Sequence, residues 1–467
     1  SNSYIELVLL LVQLAFTIQI CIYIGILYGL LVSLSLLAAY KLVLYYVWDH
    51  EELTITDKIL LSDNFFEKQT ILAQLEFEDF NTQKLTDALI NKGFLKIPKL
   101  SKVLKYCLFN FYWVKSKESP LEIINKRIIV HDAMTETEID EFRSYHLSKE
   151  MDLFTCPIQF HLVPLKNTTQ GSLFIKNDHC FGDGLGLITM MISMTDKFQP
   201  NLFPKIIRNR NLSVFSHLLD FLLFLVIGIP IIIYLVITTY STLKLSVLPR
   251  TKNIAYSKKM VYDMNTIKKL SKTEKISINE FFTGCLLAAI KEKRPEGKRI
   301  TMEVPIGLTP LPKRPEDVSL ANHVFALFNQ MKLIGDPLKE REELRKDYMK
   351  LIGSLLFVRI SEWGTWFIML FFPFNFVKSI ICGVVEEVDI VCSNLPAPES
   401  QENIADNKLV SIVPYCTTGN ISNSVVMVSY NNQMKVVGIY DSGQDFDMLS
   451  LCETFNRIVK DHLDIYN

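Results

Sequence analysis

The residues best suited to chemistry lie in the run Asn177-Asp178-His179-Cys180-Phe181-Gly182-Asp183-Gly184. An imidazole stands there just ahead of an Asp-Gly pair, directly after an apolar run, Ser172 to Ile175, that reads as a buried strand. A histidine at the end of a strand, followed by a glycine-bearing turn and the apolar helix-like stretch Leu185 to Met194, is aimed at whatever lies above the sheet. Such a base can take the proton of an alcohol while that alcohol attacks a thioester, with no covalent intermediate. Asp183 is expected to hold the turn rather than to relay protons, and Gly184 to leave room where the chain bends close to substrate. The tetrahedral oxyanion of that reaction needs preorganised donors. Asn279 at a helix start and Asn394 in the segment Ser393-Asn394-Leu395-Pro396 are the side-chain amides expected to supply them. Cys180, next to the base, reads as a small packing residue rather than a nucleophile.

Further motifs accompany this one in a fixed order. Ser393-Asn394-Leu395-Pro396-Ala397-Pro398 follows an apolar strand, Val388 to Val391; Val428-Ser429-Tyr430-Asn431-Asn432 and Val437-Gly438-Ile439-Tyr440-Asp441 form a closing hairpin. Upstream stand Leu61-Ser62-Asp63-Asn64-Phe65-Phe66, Ser277-Ile278-Asn279-Glu280, Val304-Pro305-Ile306 and Ala321-Asn322. Together they resemble the wax ester synthase/diacylglycerol acyltransferase family of HxxxDG-type, CoA-dependent acyltransferases, in which they would answer to HHxxxDG, SNVPGP, SYNG…GxxxD, LSxxDxxF, TVND, VPVS and GN. The resemblance spans roughly residues 55 to 460. It implies a mixed α/β fold of two chloramphenicol-acetyltransferase-like domains forming a central channel, with the second motif histidine, His179, as the base. It also implies acyl-CoA as co-substrate, a hydrophobic alcohol or diacylglycerol as acceptor, and no permanently bound cofactor.

The chain departs from that pattern in three places. Asp178 replaces the first motif histidine, Pro157-Ile158-Gln159 stands where the family has PLW, and Ala397 replaces a glycine. A carboxylate beside an imidazole is expected to favour the protonated ring. A second reading therefore stands beside the enzyme: a catalytically inactive acyltransferase-fold subunit, structural or lipid-binding, within a larger membrane protein complex.

Composition narrows the class. The chain has 467 residues, 49 Lys and Arg against 50 Asp and Glu, and a net charge of −1. Without a basic excess it is not a nucleic-acid binder on charge grounds. Nine cysteines without CxxC or histidine at zinc spacing argue against a metal site and against a disulfide framework. No GxSxG elbow exists for a serine hydrolase, and His179 and Asp183 lack the HxxxxD spacing of glycerol-phosphate acyltransferases.

Nearly half the residues are hydrophobic and the mean hydropathy is +0.21, high for a soluble chain. Residues Ile5 to Val47 are almost continuously apolar, enough for one long tilted span or a hairpin turning near Gly25 and Gly29. Phe221 to Thr239 is apolar but broken by Pro230 and flanked by basic residues at both ends, which suits a segment entering and leaving on one face. The aromatic stretch Trp363 to Ile381 reads as an interfacial anchor, an acyl-tunnel wall or a buried core helix. The expected organisation is a transmembrane anchor over 1–50, an acyltransferase half with HxxxDG over 51–200, a membrane-associated linker over 201–257 and a second half with SNLPAP over 258–467. The lipid bilayer is thus an expected partner, at the endoplasmic reticulum, a lipid-droplet-associated membrane or the mitochondrial inner membrane.

Overall fold

The computed structural model describes residues 11–19, 50–61, 69–107, 110–203, 253–337, 374–417 and 419–466, with residues 339–340 and single positions or short runs within 22–43 and 244–251. The first half runs β1 (Glu51–Glu52), α1 (Ile55–Leu60), β2 (Thr70–Phe77), α2 (Thr82–Ala88), β3 (Lys102–Cys107), β4 (Asn110–Lys115), α3 (Pro120–Arg127), β5 (Ile128–Val130), α4 (Glu136–Ser148), β6 (Ile158–Pro164), β7 (Gly171–Asp178) and α5 (Gly184–Met194). The second half runs β8 (Ile254–Tyr256), β9 (Met260–Asp263), α6 (Met264–Glu274), α7 (Ile278–Lys293), β10 (Arg299–Gly307), β11 (Val324–Lys332), α8 (Phe374–Val385), β12 (Ile390–Pro396), β13 (Asn403–Ile404), β14 (Asn407–Cys416), β15 (Asn423–Tyr430), β16 (Gln433–Asp441) and α9 (Met448–Leu463).

Local chemistry sets several of these elements. Thr135 and Glu138 form the expected capping box of α4, and Ser277 with Glu280 forms another at α7. Asn431 and Asn432 both take positive φ, 48° and 54°, which suits a tight hairpin between β15 and β16. Helix α2 is capped by Asn81, whose side chain accepts from Lys84 N, and after Ala88 it continues as a π-helical turn over Leu89–Phe94.

Two large sheets carry the molecule. One has the order β13-β14-β2-β7-β6-β5, the other β11-β10-β12-β15-β16-β8, with β9 also paired to β16. Strand alternation gives the second sheet two different faces. Met302, Val304, Ile390, Cys392, Val425 and Met427 point into a core closed by α6, α7 and α9. The residues between them, Glu303, Pro305, Val391, Ser393, Leu395, Val426 and Val428, face an internal cavity instead. A third cluster ties Leu72, Phe174 and Val413 of the first sheet to Val426, Val437 and Ile439 of the second.

The division of the chain at residue 257 misses one exchange. Strands β13 and β14 belong by sequence to the second half, yet β14 pairs antiparallel with β2 in the first sheet. Among the described residues no helix is long and apolar enough to cross a membrane. Most of 5–47, all of 221–239 and residues 363–373, on which the membrane expectations rest, lie outside the described residues. Residues 11–19 are helical, with Leu11, Val12, Leu14, Phe16 and Ile18 each more than half exposed.

Behind the first sheet, His131, His146 and His161 gather around Phe142. His131 Nε2 lies 3.0 Å from His161 Nδ1, and the His146 and His161 rings are 4.4 Å apart. Burial, reinforced by the neighbouring cations, depresses His146 to about 3 and His161 to about 2. Both must charge when the chain unfolds in acid. Their contribution to stability is therefore full above the ordinary histidine value of 6.5 and falls as pH drops from there toward about 3. The expected slope is on the order of 1 kcal/mol per histidine per pH unit. His146→Phe is expected to flatten it in urea-unfolding midpoints taken at successively lower pH; an unaltered slope would remove this cluster from the acid response.

Candidate active site

A cavity of about 770 Å³ lies between the two sheets and contains His179, Asp183 and Gly184 of the first half with Asn322, His323, Ser393 and Leu395 of the second. His179 follows β7 directly, and its backbone N–H donates to Gln69 O at 2.7 Å. The ring Nδ1 lies 3.0 Å from Asn322 Oδ1. The orientation of that amide is fixed from its other side. Asn322 Nδ2 donates to Asp57 Oδ1 at 2.7 Å and to His179 O at 2.6 Å, so Oδ1 is the atom left to face the imidazole. An amide oxygen only accepts, so Nδ1 carries the hydrogen and Nε2 holds the free lone pair. Nε2 has no hydrogen-bond partner among the described residues.

Asp57 owes its place to α1. Thr54 and Asp57 form that helix's capping box, and Asp57 Oδ1 also accepts from Asn322 N at 2.9 Å. Burial lowers the pKa of His179, outweighing the opposing pull of Asp183 and the Asn322 hydrogen bond. The ring is therefore a neutral base near pH 7. The expectation that Asp178 would hold it protonated is corrected. Asp178 is buried, its Oδ1 accepts from Cys180 N at 2.9 Å, and desolvation of the imidazole governs the titration.

Asp183 caps α5, accepting from Gly186 N at 2.7 Å, from His323 N at 2.9 Å and from Thr309 Oγ1 at 3.4 Å. Burial raises its pKa against the pull of those N–H groups. It fastens the motif turn to the loop between β10 and β11, in line with a holding role. Gly184 is a close approach: a Cβ there would stand 2.6 Å from Leu395 Cδ1. With any larger residue there, the Leu395 side chain would have to move aside for α5 to begin against the Ser-Asn-Leu-Pro strand. Gly182 is the stricter case: a Cβ there would stand 2.1 Å from the backbone oxygen of Leu320. Cys180 is fully buried and its thiol is pushed far up, as befits packing.

The two amides expected at the oxyanion are brought together, but in different roles. Asn394 touches the cavity while its Nδ2 donates to Asn279 Oδ1 at 2.5 Å. Its place in β12 falls on the side that faces α7, whereas Ser393 and Leu395 face the cavity. Asn279 does not line the cavity; it orients Asn394. Ser393 brings a hydroxyl to the wall and was not foreseen. Asn322, Asp57, His323 and Glu303 were not foreseen as site residues either; the Ala-Asn motif marked Asn322, but only contact with Asp57 reveals its task. The 62–66 part of the opening motif lies outside the described residues. Of the aromatic stretch, the part that is described enters α8, whose Ile381 and Val385 line the cavity.

A neutral, oriented imidazole thus stands at a sheet end, inside a largely apolar cavity shared by two sheet-and-helix lobes. Residues 328–460 match the model of the WS/DGAT C-terminal domain. Solved structures share the fold. A wax ester synthase/diacylglycerol acyltransferase from Marinobacter aquaeolei is 14% identical with a TM-score of 0.59, over 89% of this chain and 99% of that one. A trichothecene 15-O-acetyltransferase from Fusarium sporotrichioides is 10% identical with a TM-score of 0.62, over 89% and 94%. The starter condensation domain of rhizomide synthetase, solved with C8-CoA and Leu-SNAC, is 7% identical with a TM-score of 0.59, over 89% and 94%. No curated protein matches the sequence.

Asn322→Ala removes the acceptor that orients the ring. Misplacing a catalytic group by about 1 Å can cost about 10²-fold, and a fall of that order is expected in kcat. The lost bond also favours the neutral ring, so the acid limb of the kcat/KM profile should move to lower pH. A fall in rate with the limb unmoved would make Asn322 structural only.

Proposed function

We propose that this chain is a membrane-bound, acyl-CoA-dependent O-acyltransferase that esterifies a long-chain alcohol or a diacylglycerol, with His179 as general base. The observation that carries this reading is the free Nε2 of a neutral His179, presented to a cavity whose walls are otherwise mostly aliphatic. In the reaction, Nε2 takes the proton of the acceptor hydroxyl as its oxygen bonds to the thioester carbonyl carbon. The tetrahedral oxyanion then collapses, the carbon–sulfur bond breaks, and the departing thiolate of CoA takes the proton back from the imidazolium. Positioned base catalysis of this kind is worth ~10²–10⁴-fold. Ser393 and the Asn279-held Asn394 are the nearby polar side chains of β12 that are available to the oxyanion. Membrane attachment is supported by the exposed apolar side chains of residues 11–19, which need lipid or another apolar surface to cover them. The endoplasmic reticulum or a lipid-droplet-associated membrane, where hydrophobic acceptors reside, is the proposed location.

The second reading, an inactive subunit of a membrane complex, draws on Asp178 in the place of the first motif histidine and on the engaged amide of Asn394. One experiment separates them. Purified protein is incubated with labelled acyl-CoA and a hydrophobic alcohol. The enzyme reading expects labelled ester, lost at least 10²-fold in His179→Ala while the variant is recovered at wild-type yield. Recovery in a large complex with no ester formed would favour the subunit.

A further inference from the structure

Glu303 is the one acidic side chain on the wall that β10, β12 and β15 turn toward the cavity. Its strand neighbours across the sheet are Phe328 and Val391, and the residues facing the cavity around it are Pro305, Ala326, Val391 and Val426. Among the described residues nothing donates a hydrogen bond to it and no cation pairs with it. Leaving a carboxyl unpartnered among aliphatic groups is costly unless something else satisfies it. Alternation along β10 makes the placement specific: one residue earlier or later, at Met302 or Val304, the side chain would lie in the helix-covered core.

The carboxyl stands on β10 of the second sheet, whereas His179 follows β7 of the first. Desolvation alone moves its proton affinity, with no contribution from His179 or Asp183. It is no part of the proton transfer at His179.

We propose that Glu303 is a specificity residue that recognises a hydroxyl carried on the hydrocarbon chain of a substrate. The inference rests on the acyltransferase reading for what fills the cavity. Burial alone pushes the Glu303 carboxyl up to about 7, so near neutral pH it can donate to a hydroxyl oxygen or accept from its hydrogen. A plain hydrocarbon chain leaves it unsatisfied; a hydroxylated chain completes it. Sites built this way discriminate more strongly than purely apolar ones, since the analogue lacking the hydroxyl leaves a buried polar group unpaired.

The test reads binding, so it does not depend on turnover. Full-length protein in detergent is titrated calorimetrically with a long-chain fatty alcohol bearing a mid-chain hydroxyl and with its unsubstituted counterpart, then with the corresponding pair of acyl-CoAs. One pair is expected to show roughly tenfold tighter binding of the hydroxylated member, the factor one buried hydrogen bond supplies. Which pair shows it tells whether acceptor or acyl chain reaches Glu303. Glu303→Leu is expected to abolish the preference and to bind the plain chain more tightly, whereas Glu303→Gln retains it. Equal affinities within both pairs for the wild-type protein overturn the proposal without any variant. So does an undiminished preference in Glu303→Leu. Failure of the acyltransferase reading shows separately, as absence of labelled ester with every acceptor.

Discussion

The carboxamide of Asn322 connects three things that the chemistry needs at once. Its nitrogen is held by Asp57 and by the carbonyl of His179, which leaves its oxygen facing the imidazole. Asp57 in turn is held by the first turn of α1. Remove any of these and the ring is free to choose its tautomer and its rotation. With all of them present, the lone pair lies on the nitrogen that opens onto the cavity. The lobes are therefore not merely adjacent: the second supplies the group that decides which atom of the first can act as a base.

Asp183 performs the complementary task. Its carboxylate accepts from the helix start of α5 and from the backbone of His323, so the motif turn and the β10–β11 loop move as one piece. Gly182 and Gly184 permit this contact because a methyl group at either would collide with Leu320 or Leu395. The acid of the motif is thus spent on geometry, and burial rather than a neighbouring charge sets the proton affinity of the imidazole.

What was legible in the sequence was what local rules govern. The closing hairpin and the strand–turn–helix around His179 each follow from residues a few positions apart. The role of Asp57 was not legible, since it depends on a partner in the other half of the chain. Asn394 was assigned by residue type; that it touches the cavity while its Nδ2 donates to Asn279 depends on strand register. Asp178 misled for a related reason: adjacency in sequence suggested a charge effect, whereas its carboxylate is spent on the backbone of Cys180. Glu303 escaped notice because an acidic residue in an alternating strand reads as solvent-facing until the first sheet is seen to cover it.

The exchange of β14 bears on how the molecule is made. In the first sheet β2 lies between β7 and β14, and Leu75 finds its partner in Ile412. During synthesis the N-terminal lobe emerges long before that partner does, with the amides and carbonyls of one side of β2 unclaimed. An open edge of this kind invites pairing with other nascent chains. The lobe cannot be finished from its own residues: the edge of β2 stays open until β14 has been made.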